Sequence, residues 1–337
     1  LIEYWDPRLK SAFLSAIRDV RDTSQVEQIT QAVNRGDIED ALRSVNLNPA
    51  NFRVFDKAML NAFEAGGNAT ASGLPRGGVP GGLRTIFQFD VRHPPTDSWL
   101  RDYTGRLITE ITEGQREMVR QTIGRAIETG INPRTAALDL VGRITPSGTR
   151  EGGLIGLTSS QTDWVEGYAS DLRDRPEVVI PHKWNDIMVP GRKLRDRRFD
   201  NIVREAIETG EPIPEEKIEK MVASYKNRAL TYRAETISRT ESMALLHESQ
   251  QKAMEQAVET GFLDSTNVTF IWRTARDYRV RDSHAAMEGQ QVKWGEPFIT
   301  GAGNSLDYPG DPDGPPEEII NCRCWREPKV DFLAGVS

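Results

Sequence analysis

Apolar residues recur every three to four positions through the N-terminal part of the chain. Leu9, Phe13, Ile17 and Val20 mark one amphipathic helix, with Pro7 at a first-turn position. Val26, Ile29 and Val33 mark a second that stops near Gly36, and Phe52, Phe55, Met59, Leu60 and Phe63 a third that follows Asn51. Residues 1–65 therefore read as a helical region. The run from Gly66 to Gly82 is rich in Gly, so 66–84 read as a linker or long surface loop. The period then shortens: Ile86 or Phe87, Phe89 and Val91 alternate, which predicts a strand over 85–91. A long helix is predicted over 97–129 with Leu107, Ile111, Val119 and Ile123 on its apolar side and Gly130 as its stop. Asn132-Pro133 opens a short helix through Leu138 and Val141, and another helix is predicted from Ser160 to Leu172. Residues 85–225 thus form a mixed, mainly helical middle region.

The remainder, 226–337, has a different pattern. Glu215 to Thr260 reads as helix, without Pro or Gly from Lys226 onward and stopped by Gly261. Leu230, Ala234, Ile237, Ala244 and Leu245 form its apolar stripe, and Glu241 falls on that stripe. A buried carboxylate is expensive unless partnered. Arg239 lies on another face, one turn from Glu235, and suits a surface pair with it. Val268–Arg273 alternates as a half-buried strand. Asp282 or Ser283 can cap a short helix ended by Gly289, and Gln291–Phe298 is a further strand candidate. Asp307–Pro316 is too rich in Pro to be regular. Ile319–Trp325 reads as a strand with Ile320, Cys322 and Cys324 on one face and Asn321, Arg323 and Trp325 on the other. The expected fold class is α+β: helical N-terminal regions, and a C-terminal domain with a long helix on a small, mostly antiparallel sheet.

A length of 337 residues suits about two domains. The formal net charge of −7 excludes whole-protein attraction to DNA or an anionic membrane, but not a local basic patch. The densest such patch is Arg192, Lys193, Arg195, Arg197 and Arg198. It reads first as a solvated charged helix start, and alternatively as a contact for nucleic acid or an acidic partner. No apolar run of about 18 residues is present, and the N-terminus lacks the basic and apolar regions of a signal peptide. Leu1 is not an initiator Met, so a longer parent chain is expected. Two cysteines do not make a disulfide scaffold; on one strand, Cys322 and Cys324 would be poorly placed to bridge, which suits a reducing compartment.

Two kinds of chemistry compete at the C-terminal cluster. His284, Cys322 and Cys324, with Asp277, are acceptable zinc-ligand types, but the spacing is Cys-x-Cys rather than Cys-x-x-Cys. No metal is therefore expected; the thiols read as core and His284 as hydrogen-bonded to backbone or carboxylate. Of four histidines only His284 lies in the cluster, and Gly-x-Ser-x-Gly, a phosphate-binding Walker loop and His-Glu-x-x-His are absent. An enzyme is not expected; an ADP-ribosyltransferase-like or metal-dependent module is the alternative. The expected arrangement is a lattice of Glu241, Asp277 and Asp282 against Arg239, Arg279, Arg281 and Arg323, in which Glu241 pairs with Arg279, Arg281 or Arg323.

Arg239-Thr-Glu241, Trp272, Asp277, Arg279, Arg281, His284, Gly289, Phe298 and the ending Asn321-Cys-Arg-Cys324 occur in an order that resembles the C-terminal domain of phage Mu F-like minor head proteins, or head morphogenesis proteins. The resemblance covers about residues 226–328. Many members carry a His shortly before that ending, where this chain has Glu317-Glu-Ile-Ile. The resemblance implies a virion protein of a tailed double-stranded DNA bacteriophage, in low copy inside the head. Its implied partners are the portal protein, and also the major capsid protein and the packaged DNA. It implies a role in head assembly and in DNA packaging or delivery, with the host cytoplasm as the place of assembly. No cofactor and no membrane partner are expected.

Overall fold

The structure, a computed structural model, describes residues 1–74, 77–78, 84–146, 148–184 and 187–331. Its helices are α1 (Ile2–Thr23), α2 (Val26–Asn34), α3 (Ile38–Ser44), α4 (Arg53–Gly73), α5 (Pro94–Glu128), α6 (Pro133–Val141), α7 (Ser159–Asp174), α8 (Asp200–Thr209), α9 (Glu215–Glu259), α10 (Asp282–Ala285) and α11 (Pro316–Ile319). Local chemistry sets several boundaries. The Asn132 side chain accepts from the Arg134 and Thr135 amides while Pro133 supplies the first turn of α6. Thr158 and Gln161 form a reciprocal capping box at the start of α7.

The C-terminal strands are β1 (Val268–Arg273), β2 (Gln291–Lys293), β3 (Phe298–Ile299), β4 (Ser305–Leu306) and β5 (Trp325–Val330). β1 is central in an antiparallel three-stranded sheet of order β5-β1-β2. Its register pairs Arg273 with Trp325, Val268 with Val330, and Ile271 with Gln291. β3 and β4 pair antiparallel beside it in sequence. The fold is α+β, with the long α9 preceding this small sheet.

Two compact units divide the chain. One comprises residues 1–12, 55–105 and 235–337. Its core includes Phe55, Met59 and Phe63 of α4, Met243, Leu245 and Met254 of α9, and Phe270 and Trp272 of β1. Phe63 stacks on Trp99, which stacks on Tyr103 with ring centroids 4.8 Å apart. The other unit comprises residues 13–54 and 106–234. Phe13, Ile17, Ile29, Met118, Val119, Leu140, Ile155 and Tyr168 are buried in it. Two buried guanidiniums, Arg21 and Arg233, cap the carbonyls of Gly153, Ile155 and Gly156, which satisfies an irregular stretch of backbone that burial would otherwise leave unpaired.

Three expectations from pattern give way here. Residues 66–73 of the supposed linker are the last turns of α4. Their glycines are packing devices: a Cβ on Gly67 would lie 2.7 Å from Phe89 Cζ, and one on Gly66 would overlap Ser249 Oγ. Residues 75–76 and 79–83 of that run lie outside the described residues. The strand over 85–91 is not formed beyond a two-residue pairing at Arg84–Thr85. Phe87 and Phe89 do alternate into the core, but the backbone at Asp90 is held by the side-chain amide of Gln256, which both donates to and accepts from it at 2.9 Å. Alternation here records alternate burial of an extended segment, not a ladder. Finally, Ile319–Cys324 is no strand. α11 ends at Ile319, Asn321 takes a left-handed φ of 58°, and pairing begins only at Trp325.

The sequence-based C-terminal domain from residue 226 also takes another shape: residues 235–337 share their unit with 1–12 and 55–105. A helix-period pattern reports which face is buried and not what buries it.

Candidate functional site

After β1 the chain leaves the sheet and returns by short devices. Asp277 accepts from the Arg279 amide at 3.0 Å and tightens the turn before α10. α10 carries His284. Gly289, in a left-handed conformation at φ 80°, then donates its amide to the Trp272 carbonyl and closes the loop on β1. The far wall comes from α11 and the Asn321–Cys324 turn, where the Asn321 amide donates to Thr240 Oγ1 of α9.

These segments bring His284, Cys322 and Cys324 together in the core. Each is at most 2% exposed. His284 Nδ1 lies 3.6 Å from Cys322 Sγ and 3.5 Å from Cys324 Sγ, and the ligand atoms all lie within 4.8 Å of one another. On the other side of the ring, Nε2 is 3.0 Å from Glu318 Oε2, close but out of line for a hydrogen bond. Ser283 Oγ and Asn304 Nδ2 donate to the Glu318 carboxylate. Burial raises the Glu318 pKa, but these donors outweigh it and hold the group below its ordinary value. The thiols divide. The hydrogen bond from Cys324, together with His284, draws Cys322 well below the usual thiol range, and the same partnership with burial drives Cys324 up. The Trp272 indole stands T-shaped to the His284 ring and favours the Cys324 thiolate.

The predicted arginine–carboxylate lattice forms in part. Arg323 grips Asp277 through both terminal nitrogens, and Arg279 approaches the same carboxylate at 3.8 Å. The Arg323 hydrogen bonds lower the Asp277 pKa to about 2. Arg281 donates to the Ile320 carbonyl. Glu241 is buried as its position on the stripe demands, but the fold brings it the Tyr103 phenol at 2.6 Å, while the three arginines foreseen for it are used elsewhere. Arg239 pairs with Asp6 at 2.5 Å, and Glu235 with Lys10 at 2.7 Å, so the expected Arg239–Glu235 pair is replaced. Tyr103 and Asp6 lie well over a hundred residues from these partners, so no local spacing reveals them.

The basic patch is largely neutralised. Arg192 bonds Asp171, Arg195 bonds Asp200 with both groups nearly buried, and Arg198 bonds Asp196, which Arg228 also approaches. Lys193 and Arg197 are exposed and make no ion pair among the described residues.

Sequence reasoning also missed two groups. Glu318 was visible only as part of Glu317-Glu-Ile-Ile. A second buried polar cluster joins α9 to β5: Arg326 lies with its guanidinium carbon 4.1 Å from the Phe270 centroid and reaches Gln250 and Gln251, while Tyr308 donates to Glu248 at 2.7 Å. His247 donates from Nδ1 to the Met243 carbonyl and accepts the Arg326 amide on Nε2, which assigns a neutral ring. Its polar residues on a helix read as solvent-facing, which is why the pattern did not reveal them.

Buried and mutually engaged, these groups can hold loops together or hold an ion. Residues 197–326 match the family model described as Phage Mu protein F like protein. No curated protein and no solved structure matches the chain.

Proposed function

Taking the Mu F-like character of residues 197–326 as the premise, we propose that this chain is a head morphogenesis protein of a tailed double-stranded DNA bacteriophage. In this reading it is a minor component inside the head, bound to the portal protein and in contact with the major capsid protein. It assists head assembly and DNA packaging or delivery, and is made in the host cytoplasm. The family match is the observation that carries it.

The chemistry of the chain supports a scaffold rather than turnover. His284 and both cysteines are buried, and Asp277, Arg323, Glu318 and Ser283 are committed to one another or to neighbouring loops. A nucleophile or general base needs access to substrate, and burial of these groups favours a structural role for them. Charge also favours protein over DNA as the partner: net −7, with Arg192, Arg195 and Arg198 already paired to Asp. Among the described residues no helix is long and apolar enough to cross a membrane.

The test is the position of this chain in intact particles, combined with retention on purified portal protein in the presence of competitor DNA. Density at the portal vertex with retention indifferent to DNA supports the proposal. Retention on DNA that salt abolishes, without portal binding, would support an adaptor instead. NAD turnover would support the enzyme-like alternative.

A further inference from the structure

We propose that His284 Nδ1, Cys322 Sγ and Cys324 Sγ are three ligands of one zinc-class cation, with Glu318 steadying the imidazole from its far side. A tetrahedral zinc has Zn–S of about 2.3 Å and Zn–N of about 2.0–2.1 Å, which places nitrogen and sulfur about 3.6 Å apart. The two observed separations are 3.5 and 3.6 Å, with all ligand atoms within 4.8 Å of one another. A shared cation would engage Nδ1 and both sulfurs at once. A neutral imidazole has one lone pair, so Nδ1 can accept from one thiol and not from both.

The surroundings fit the same assignment. A ligating histidine usually turns its other nitrogen to a carboxylate, which fixes the tautomer and raises ligand basicity. Here Nε2 faces Glu318 Oε2 at 3.0 Å, and Ser283 and Asn304 hold that carboxylate in place. The Trp272 ring stands T-shaped to that of His284 at 5.3 Å and walls this side of the cluster. Thiolate ligands with soft character and one imidazole select zinc over magnesium or calcium. On binding, each thiol releases its proton to solvent and the imidazole stays neutral, so the ion meets two thiolates and one nitrogen. A water molecule completes the fourth position. The cation would tie α10 to the Asn321–Cys324 turn in a stretch whose regular elements are only two to four residues long.

Purified full chain, produced in zinc-supplemented medium and exhaustively dialysed, should retain one zinc per chain by atomic emission. Replacement by cobalt(II) should give thiolate-to-cobalt charge-transfer absorption and the intense visible bands of a tetrahedral site. Glu318→Gln should keep the stoichiometry but weaken affinity about 10–100-fold in a chelator competition. His284→Gln and Cys322→Ser should lose the charge-transfer bands or shift them. Should those variants fail to fold, the cobalt spectrum of the unaltered chain decides alone. Trace zinc together with cobalt(II) lacking charge-transfer absorption, in a chain that is folded by circular dichroism, overturns the proposal.

Discussion

The Tyr103 hydroxyl donates a 2.6 Å hydrogen bond to Glu241 Oε2 across 138 residues of sequence, both side chains being buried. It anchors the end of the Phe63–Trp99–Tyr103 stack to α9. Removing a hydrogen-bond donor from a buried carboxylate costs about 1.5–3 kcal/mol. Tyr103→Phe, which keeps the ring, should therefore lower stability by that amount in chemical denaturation. In a Glu241→Gln background the same change should cost clearly less, and equal costs in both backgrounds would refute the coupling.

Gly67 sits inside a helix, where alanine ordinarily stabilises by about 0.5–1 kcal/mol. Here the added methyl meets the Phe89 ring. Overpacking costs about 1–3 kcal/mol, so Gly67→Ala should destabilise. Shrinking the ring with Phe89→Leu should recover part of that loss; thermal melts of the two single variants and the double variant test it.

His247 titrates in the folded chain at about 3, because burial and then the Arg326 charge disfavour its protonated form. Its ordinary value is about 6.5. Between those values the unfolded chain carries a proton that the folded one refuses, so stability falls as pH falls from about 6.5 toward 3. The slope is roughly 1.4 kcal/mol per pH unit where the difference is complete. Glu248, beside it, is raised by burial and acts with the opposite sign, and Tyr308 keeps its proton throughout. The pH dependence of wild type minus that of His247→Gln isolates the histidine; a flat difference across this window would contradict the assignment.

Asp277 offers a spectroscopic check. Its carboxyl should titrate at about 2, and Arg323→Gln should move the midpoint up toward the ordinary value of about 3.9. The stabilisation it brings is present above that ordinary value and is lost as pH falls through about 2. Side-chain carboxyl NMR measures both midpoints, and an unmoved midpoint in the variant means Arg323 is not the cause.

Much of this was legible in the chain. α5, α6, α9 and β1 follow from the apolar spacing around Ile111, Leu138, Ala244 and Phe270 and from the Asn132-Pro133 cap. α7 matches the helix expected from Ser160 to Leu172, although its Thr158–Gln161 capping box was not read from the sequence. The gathering of His284 with Cys322 and Cys324 followed from the ordered motif, but its geometry did not. Whether Nδ1 or Nε2 faces sulfur depends on where α11 places Glu318, and a Pro-rich loop with short elements carries no period from which to read that. Glu241 shows the same limit. Its position predicted burial and a partner, yet the partner is a tyrosine on α5, because tertiary contacts between distant segments leave no local spacing. Glycine content likewise misled at 66–73, since composition cannot distinguish a glycine chosen for freedom from one chosen for small size.

The unit that holds Cys322 and Cys324 is sewn from three separate stretches of chain, 1–12, 55–105 and 235–337. Recombination between related genomes that imported the last stretch alone would carry Ser249 without the Gly66 that makes room for it, and Glu241 without its phenol. Such hybrids should therefore survive only when all three stretches travel together or re-evolve to fit. The natural module for exchange is discontinuous, and expression trials that trim the chain to its family-matched portion would inherit an unfinished core.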